Sequence, residues 1–470
     1  MIGRNATSPI FRRFAVSFSL LLLFVSACER ETTSPASRDV QVTAIRAAKA
    51  AGGPAVSSAN PPYGDRGTTL DVQVIGSGFT AGAAATWLLN GVANGHVHTN
   101  STQFVNSTEL VANITIDDEA TLAFWDVQVA LIGGKNGVGS DAFEVTTAQV
   151  LSSEPFISIE GTNNLGDVVG YTSNDAFVFD DASGFVDLGP HQGRALDPDA
   201  QAAFGADGTG NAIAWSRQPD GTWTHEFLPA APNSAGRFAT SAARMADGTL
   251  LVAGVDGIVV GRNTNNRPVV WHRVGASWTN PTVYAYPAGV TRAFARTVNA
   301  LGEIGGEVNG SATGAIWDSP TTSVLVDGFP NAINSAGTLA VGQKSVGKSA
   351  VPAYWWRDPV THAWHTTGVL LPTIAGAGCT SGIARGLNDA GIIVGQSCNG
   401  TKDQATVWRI DFSGSSPVVV GSPTALSGLG ASGASPISSA AGISRTAPYV
   451  IGGMAQSGGQ GVIVRWTLTQ

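Results

Sequence analysis

Arginine is the side chain of this sequence best placed to do chemistry. Aligning the recurring phrases of residues 155–470 on Asn163, Asp197, Asn299, Asn334 and Asn388 brings one earlier strand position into register. That position holds Glu160, Arg194, Arg296, Asn331 and Arg385. Arg244 falls within two residues of it in the third phrase, and Ala441 takes it in the seventh. Lys and Arg together number only 26 in 470 residues, so arginine recurring at one position stands above the background. A guanidinium presents five donors in a planar fork that matches a carboxylate, and forks gathered together repel unless acids, water or an anion lie between them. Glu160, Arg194, Arg244, Arg296 and Arg385 are therefore the candidate ligand-binding residues, expected as a ring near a channel or on one face. The alternative is that each arginine pairs locally with a loop acid.

Other chemistry is thinly represented. No hydrolase triad, Walker loop, zinc spacing or EF-hand occurs, and Gly76-x-Gly78 lacks the strand–helix setting of a dinucleotide site. His96 and His98, two apart, would share a strand face but need a third ligand from elsewhere to hold a metal. Asp117-Asp118-Glu119 and Asp197-x-Asp199 read as solvated turns before calcium loops. No catalytic residue, metal or cofactor is expected. A carbohydrate lyase or hydrolase, the alternative function, needs two carboxylates, or a base with a neutraliser, in one cleft. Glu160 beside the arginines is the single suspect.

The elements that must carry these residues repeat. The clearest phrase runs Ala384-Arg385-Gly386-Leu387-Asn388-Asp389-Ala390-Gly391-Ile392-Ile393-Val394-Gly395, then Ala405-Thr406-Val407-Trp408. Seven copies close on Phe179, Trp215, Trp271, Trp317, Trp355, Trp408 and Trp466. Their second strands end on Gly170, Gly205, Gly254, Gly305, Gly342, Gly395 and Gly452. Short strands and aromatics at this period predict an all-β, seven-bladed β-propeller over 148–470. A single small sheet cannot bury both faces, so the copies must stack with the aromatic wedged between them. The glycines are expected to allow a bend or a close approach. The last copy lacks a fourth strand, which Ala148–Ser152 is expected to supply by pairing around Val462–Thr467. Cys379 and Cys398 bracket the Asn388–Gly391 hairpin, and counting back from its turn pairs residue 381 with about 398, which brings the two close and predicts a disulfide in an oxidising compartment, the alternative being two free thiols. The phrase resembles the HAF family of extracellular repeats, whose units run Gly-Ile-Asn-x-x-Gly-x-Val-Val-Gly and then Ala-x-x-Trp; that resemblance brings no assigned chemistry.

Residues 54–147 are a separate unit of short alternating strands with glycine-rich turns, which predicts a β-sandwich. Gly76-Ser77-Gly78-Phe79 and the strand Trp125-Asp126-Val127-Gln128-Val129 resemble the IPT/TIG family of immunoglobulin-like domains. The resemblance implies a spacer or binding module without catalytic residues.

Charged residues are 13% of the chain and Gly numbers 59, a profile of β-rich exported proteins. Arg12-Arg13 followed by the apolar run Phe14 to Val25 reads as a targeting segment over 1–27. It ends in Val25-Ser26-Ala27-Cys28, which resembles the bacterial lipobox; the resemblance implies that Cys28 is diacylated and becomes the N-terminus. Residues 28–53 then form a flexible tether of roughly 25–30 Å root-mean-square span. Removal of 1–27 takes Arg4, Arg12 and Arg13 with it, moving the formal charge from −8 to about −11. No basic run remains that could follow a phosphate backbone, which argues against nucleic acid. The expected protein is a non-catalytic binding or scaffold protein of the bacterial cell envelope, lipid-anchored at the outer membrane or cell surface. Its expected partners are the membrane, through the anchor, and a polysaccharide or surface-protein ligand.

Overall fold

The computed structural model describes residues 53–468 apart from 157, 200, 261–262, 311, 375–378, 380, 400–401, 415, 430–436 and 458–459. The targeting segment, Cys28 and the tether up to residue 52 lie outside the described residues. Among the described residues every regular element is a strand.

Two sheets form from residues 55–146. One joins Ala55–Asn60, Thr68–Ser77, Glu109–Ile116 and Val97–Asn106; the other joins Tyr63–Asp65, Asn136–Thr146, Ala123–Ala130, Ala84–Leu89 and Val92–Ala93. Side chains alternate faces along a strand. Glu109–Ile116 follows this rule, turning Leu110, Ala112, Ile114 and Ile116 inward. They meet Trp87, Trp125 and Phe143 from the other sheet in one shared core.

Seven further sheets of four or five strands follow among the described residues. Their innermost strands are Ser158–Thr162, His191–Leu196, Ser234–Arg244, Ala293–Val298, Phe329–Ile333, Gly382–Leu387 and Ser439–Ile443. Each packs beside the next, and Ser439–Ile443 packs beside Ser158–Thr162. The region is a β-propeller with a closed circuit of sheets. The final sheet is built from both ends of the region: Ala148–Ser152 pairs antiparallel with Gln460–Leu468, Ala148 opposite Trp466 and Val150 opposite Val464. Closure by an outer strand from the opposite end of the region leaves no unpaired seam in the ring.

The closing aromatics sit between sheets. Trp215, Trp271, Trp317, Trp355, Trp408 and Trp466 are at most 1% exposed, and Phe179 holds the equivalent place opposite Val168 in the first sheet. Buried indole N–H groups need acceptors. Trp271, Trp317, Trp408 and Trp466 donate to the carbonyls of Pro229, Ala285, Pro372 and Ser427, each in the connection that leads into the tryptophan's own sheet.

The recurring glycine has a different cause. Every innermost strand contains a β-bulge. The bulge swings one carbonyl toward the second strand. A Cβ on Gly170, Gly205, Gly254, Gly306, Gly342, Gly395 or Gly453 would overlap the carbonyl oxygen of Ser158, Gln192, Phe238, Phe294, Phe329, Ile383 or Ser439 respectively. In the fourth and seventh sheets the critical residues are thus Gly306 and Gly453, one beyond the expected Gly305 and Gly452.

Candidate functional site

The extra residue of each bulge is Glu160, Arg194, Thr240, Arg296, Asn331, Arg385 and Ala441, in sheet order. A bulge re-aims the side chain it carries. Because the seven bulged strands are the innermost ones, these side chains form one layer around the axis. The sequence alignment locates this layer at five positions plus Ala441. It misplaces the third.

Arg244 is outside the ring. Its Nε and Nη2 donate to the two carboxylate oxygens of Asp197 at 2.8 and 2.5 Å, and Nη1 donates to the carbonyl of Gly248. Thr240 holds the ring position instead. The cause is length. In the third sheet the first two strands run two residues further toward their turn, so Met245 bonds Thr249 where Asn299 bonds Glu303 in the fourth. Counting back from the turn therefore misses the bulge.

Within the ring, Arg194 Nη1 lies 3.8 Å from Glu160 and Nη2 donates to Gln192 at 2.7 Å. Its guanidinium also stands over the rings of Tyr171 and Phe238, with centroids 5.5 and 5.8 Å away. Glu160 accepts from the Ser158 hydroxyl at 2.6 Å. Burial, then the Glu160 charge, pushes the Tyr171 phenol up. Arg296 donates to Glu307 at 2.9 Å and lies over Phe329 at 5.8 Å. Asn331 donates across to the Ala384 carbonyl at 3.0 Å.

Arg385 differs from its neighbours. Its side chain is solvent-accessible and makes no hydrogen bond or ion pair among the described residues. Protein nevertheless encloses it: desolvation lowers its pKa most, opposed by the charges of Glu160 and Asp403 and reinforced by Arg296. Water reaches the group while protein surrounds it, which is the situation of a side chain projecting into an open channel. The charges it senses belong to the first, fourth and sixth sheets, so the ring faces a common space. Glu160, Arg194, Arg296 and Arg385 are brought together there.

Two residues before each bulge lies a second layer on the same strand faces. It reads Phe238, Phe294, Phe329 and Ile383 in the third to sixth sheets, and Ser439, Ser158 and Gln192 in the seventh, first and second; six of the seven are half-buried and Gln192 is exposed. Reading the sequence for charge alone overlooked this collar, although its offset of two from the ring position is constant. Cys379 and Cys398 lie at the same end of the ring. They are bridged, with Cα atoms 5.8 Å apart, and the Cys398 N–H donates to Ser381 beside the start of the sixth inner strand.

Comparison with known proteins adds little. No protein-family model and no curated protein sequence matches the chain. Among solved structures it is similar to one titled streptogramin B lyase at a TM-score of 0.36 and 10% identity, over 68% of this chain and 97% of the other. It is also similar to virginiamycin B lyase from Staphylococcus aureus at a TM-score of 0.28 and 10% identity, over 82% of this chain and all of the other. Likeness at that level supports no transfer of activity; the propeller is established by the arrangement of sheets.

At the opposite end of the ring lie the turns between the first and second strands. Asn299 Oδ1 accepts from the N–H groups of Leu301 and Glu303, and its Nδ2 donates to the Asn334 carbonyl of the next sheet. Asn388 repeats the arrangement with Ala390, Ile392 and Ser444. These asparagines knit neighbouring sheets and are structural. Asp197, considered as a calcium ligand from sequence, is committed to Arg244. His96 and His98 both face Asp117, at 3.4 and 3.9 Å, and no group of three metal-ligating side chains occurs among the described residues. An open cleft of about 450 Å³ beside Arg244, Asp247, Leu250 and Arg273 shares no residue with the ring.

Proposed function

We propose that the chain is a lipid-anchored protein of the bacterial cell envelope that presents an immunoglobulin-like sandwich followed by a seven-bladed propeller and binds a polysaccharide or surface-protein ligand without transforming it. The axial ring carries this reading. It gathers cations from separate sheets around one space, and the only ring carboxylate, Glu160, is occupied by Ser158 and Arg194. A hydrolase or lyase needs a second carboxylate or a free base opposite it. Arginine and amide groups suit recognition instead.

The anchor rests on the run Val25-Ser26-Ala27-Cys28. A sandwich between tether and propeller would hold the ring away from the membrane. Only Thr147 separates Asn136–Thr146 from Ala148–Ser152, and that short junction favours a defined spacer over a loose one.

Two measurements test the reading. Cys28→Ser should move the protein from the membrane to the soluble fraction; continued attachment with cleavage between Ala27 and Cys28 would place the anchor elsewhere. The full chain in detergent, applied to arrays of envelope glycans and to envelope protein extracts, should retain a ligand that Arg385→Gln releases. Turnover of that ligand by the unmodified protein would favour the enzyme reading.

A further inference from the structure

The wall around Arg385 specifies a kind of ligand. Its neighbouring acids are already engaged: Glu160 by Ser158 and Arg194, and Asp403 by Gln396 at 2.8 Å. Arg296 is held by Glu307. Among the described residues, Arg385 is the ring arginine with no carboxylate within ion-pair distance, whereas Arg194 and Arg296 have Glu160 and Glu307. A confined cation is stabilised most by an anion that meets its planar donors in pairs.

Above that cation the collar is divided into two unbroken arcs. Phe238, Phe294, Phe329 and Ile383 make an apolar arc over the third to sixth sheets. Ser439, Ser158 and Gln192 make a polar arc over the remaining three. A pyranose ring has the complementary division, with C–H faces that lie on aromatic and aliphatic side chains and hydroxyls that bond to Ser and Gln. A peptide C-terminus would supply the carboxylate as well. It would also bring backbone N–H and C=O groups that need partners of their own, and the apolar arc offers none.

Resting on the binding role proposed above, we infer that the channel takes an acidic sugar, with one uronate carboxylate on Arg385, the ring against the phenylalanine arc and the hydroxyls toward Ser439, Ser158 and Gln192. One uncompensated fork means one carboxylate per site, with further residues of an oligosaccharide passing out through the collar.

Isothermal titration of the full chain in detergent with trigalacturonate, and with its methyl ester, tests this. The acid should bind at least about tenfold more tightly than the ester, the scale of one charge-assisted bidentate contact. Arg385→Gln should remove that preference, Arg385→Lys should recover part of it, and Arg409→Gln, an exposed arginine away from the ring, should leave it intact. The acid–ester comparison on the unmodified protein stands even where a ring variant fails to fold. Equal binding of acid and ester, unchanged in Arg385→Gln, overturns the carboxylate inference while leaving a sugar-binding channel in place. Binding of neither sugar, with an Arg385-dependent affinity for a peptide bearing a free C-terminus, overturns the sugar and leaves the binding role. Binding of none of the three overturns the inference, and the array and extract experiments then decide the broader role separately.

Discussion

The carbonyl oxygen of Phe294 fills the space in which a side chain at Gly306 would begin. The same relation joins Ile383 to Gly395 and Phe329 to Gly342. The recurrent glycine is therefore the companion of the bulge, and the bulge is what delivers the ring residue to the axis. Structure and candidate site depend on one local device repeated around the propeller.

This relation predicts unequal costs at adjacent glycines. In Gly306→Ala the new methyl meets backbone that cannot move without breaking the bulge. In Gly305→Ala it meets the side chains of Pro330 and Thr297, at 2.9 and 3.1 Å. Equilibrium urea unfolding should give a loss of about 3 kcal/mol for Gly306→Ala, the upper end of the range for overpacking, and about 1 kcal/mol for Gly305→Ala. Equal losses would mean that the carbonyl contact does not determine the glycine.

The propeller was legible in the sequence because its aromatics obey one spacing rule, and because buried tryptophans between sheets leave a periodic trace. The ring was legible where the strand between bulge and turn keeps a constant length, as at Arg194, Arg296 and Arg385. It failed at Arg244 because that strand is two residues longer in the third sheet, and length variation within a hairpin carries no compositional mark. Pairing of Arg194 with Glu160 and of Arg296 with Glu307 was equally hidden, since it depends on which strands become neighbours. Two of the three ring arginines thus carry their own acid, and Arg385 became the distinctive one only in three dimensions.

The bridge between Cys379 and Cys398 closes a loop of 19 residues in sequence separation. Loop-closure entropy for that length gives about 3 kcal/mol of stabilisation. Reduction, or Cys398→Ser, should lower the unfolding midpoint accordingly. Mass spectrometry of exported protein finding both thiols free would remove the bridge from the collar end of the ring.

Arg244 and Asp197 form a bidentate pair in which the carboxylate is only 2% exposed. Hydrogen bonding to Asp197 raises the Arg244 pKa. Arg244→Ala leaves a buried carboxylate without its cation, a change of about 3–5 kcal/mol. Asp197→Asn in the same chain should return part of that loss, because the stranded charge disappears. Ligand binding at the axis should be unaffected in whatever fraction remains folded, since neither residue belongs to the ring. A loss of binding without a loss of stability would put Arg244 back in the site.

Glu144 provides the last prediction. It is 8% exposed, lies in the sandwich strand that leads into the propeller, and lies close to Ser427 of the connection entering the final sheet. Burial raises its carboxyl from 4.5 to about 7, only partly offset by the nearby Ser427. Asp65, on the strand paired with this one, is raised by burial to about 6. A carboxyl whose folded pKa exceeds its unfolded value favours folding in its protonated form, so its contribution is full below pH 4.5 and is lost as pH rises toward 7. The Glu144 share amounts to about 3 kcal/mol at most. His191 and His272, both lowered chiefly by burial, act in the opposite sense, as their folded forms resist protonation below pH 6.5. The difference between wild type and Glu144→Gln isolates the carboxyl from them. Glu144→Gln should be more stable than wild type at pH 8, with the advantage shrinking between pH 7 and 4.5. A difference that stays constant over that range would mean that Glu144 does not titrate in the folded junction.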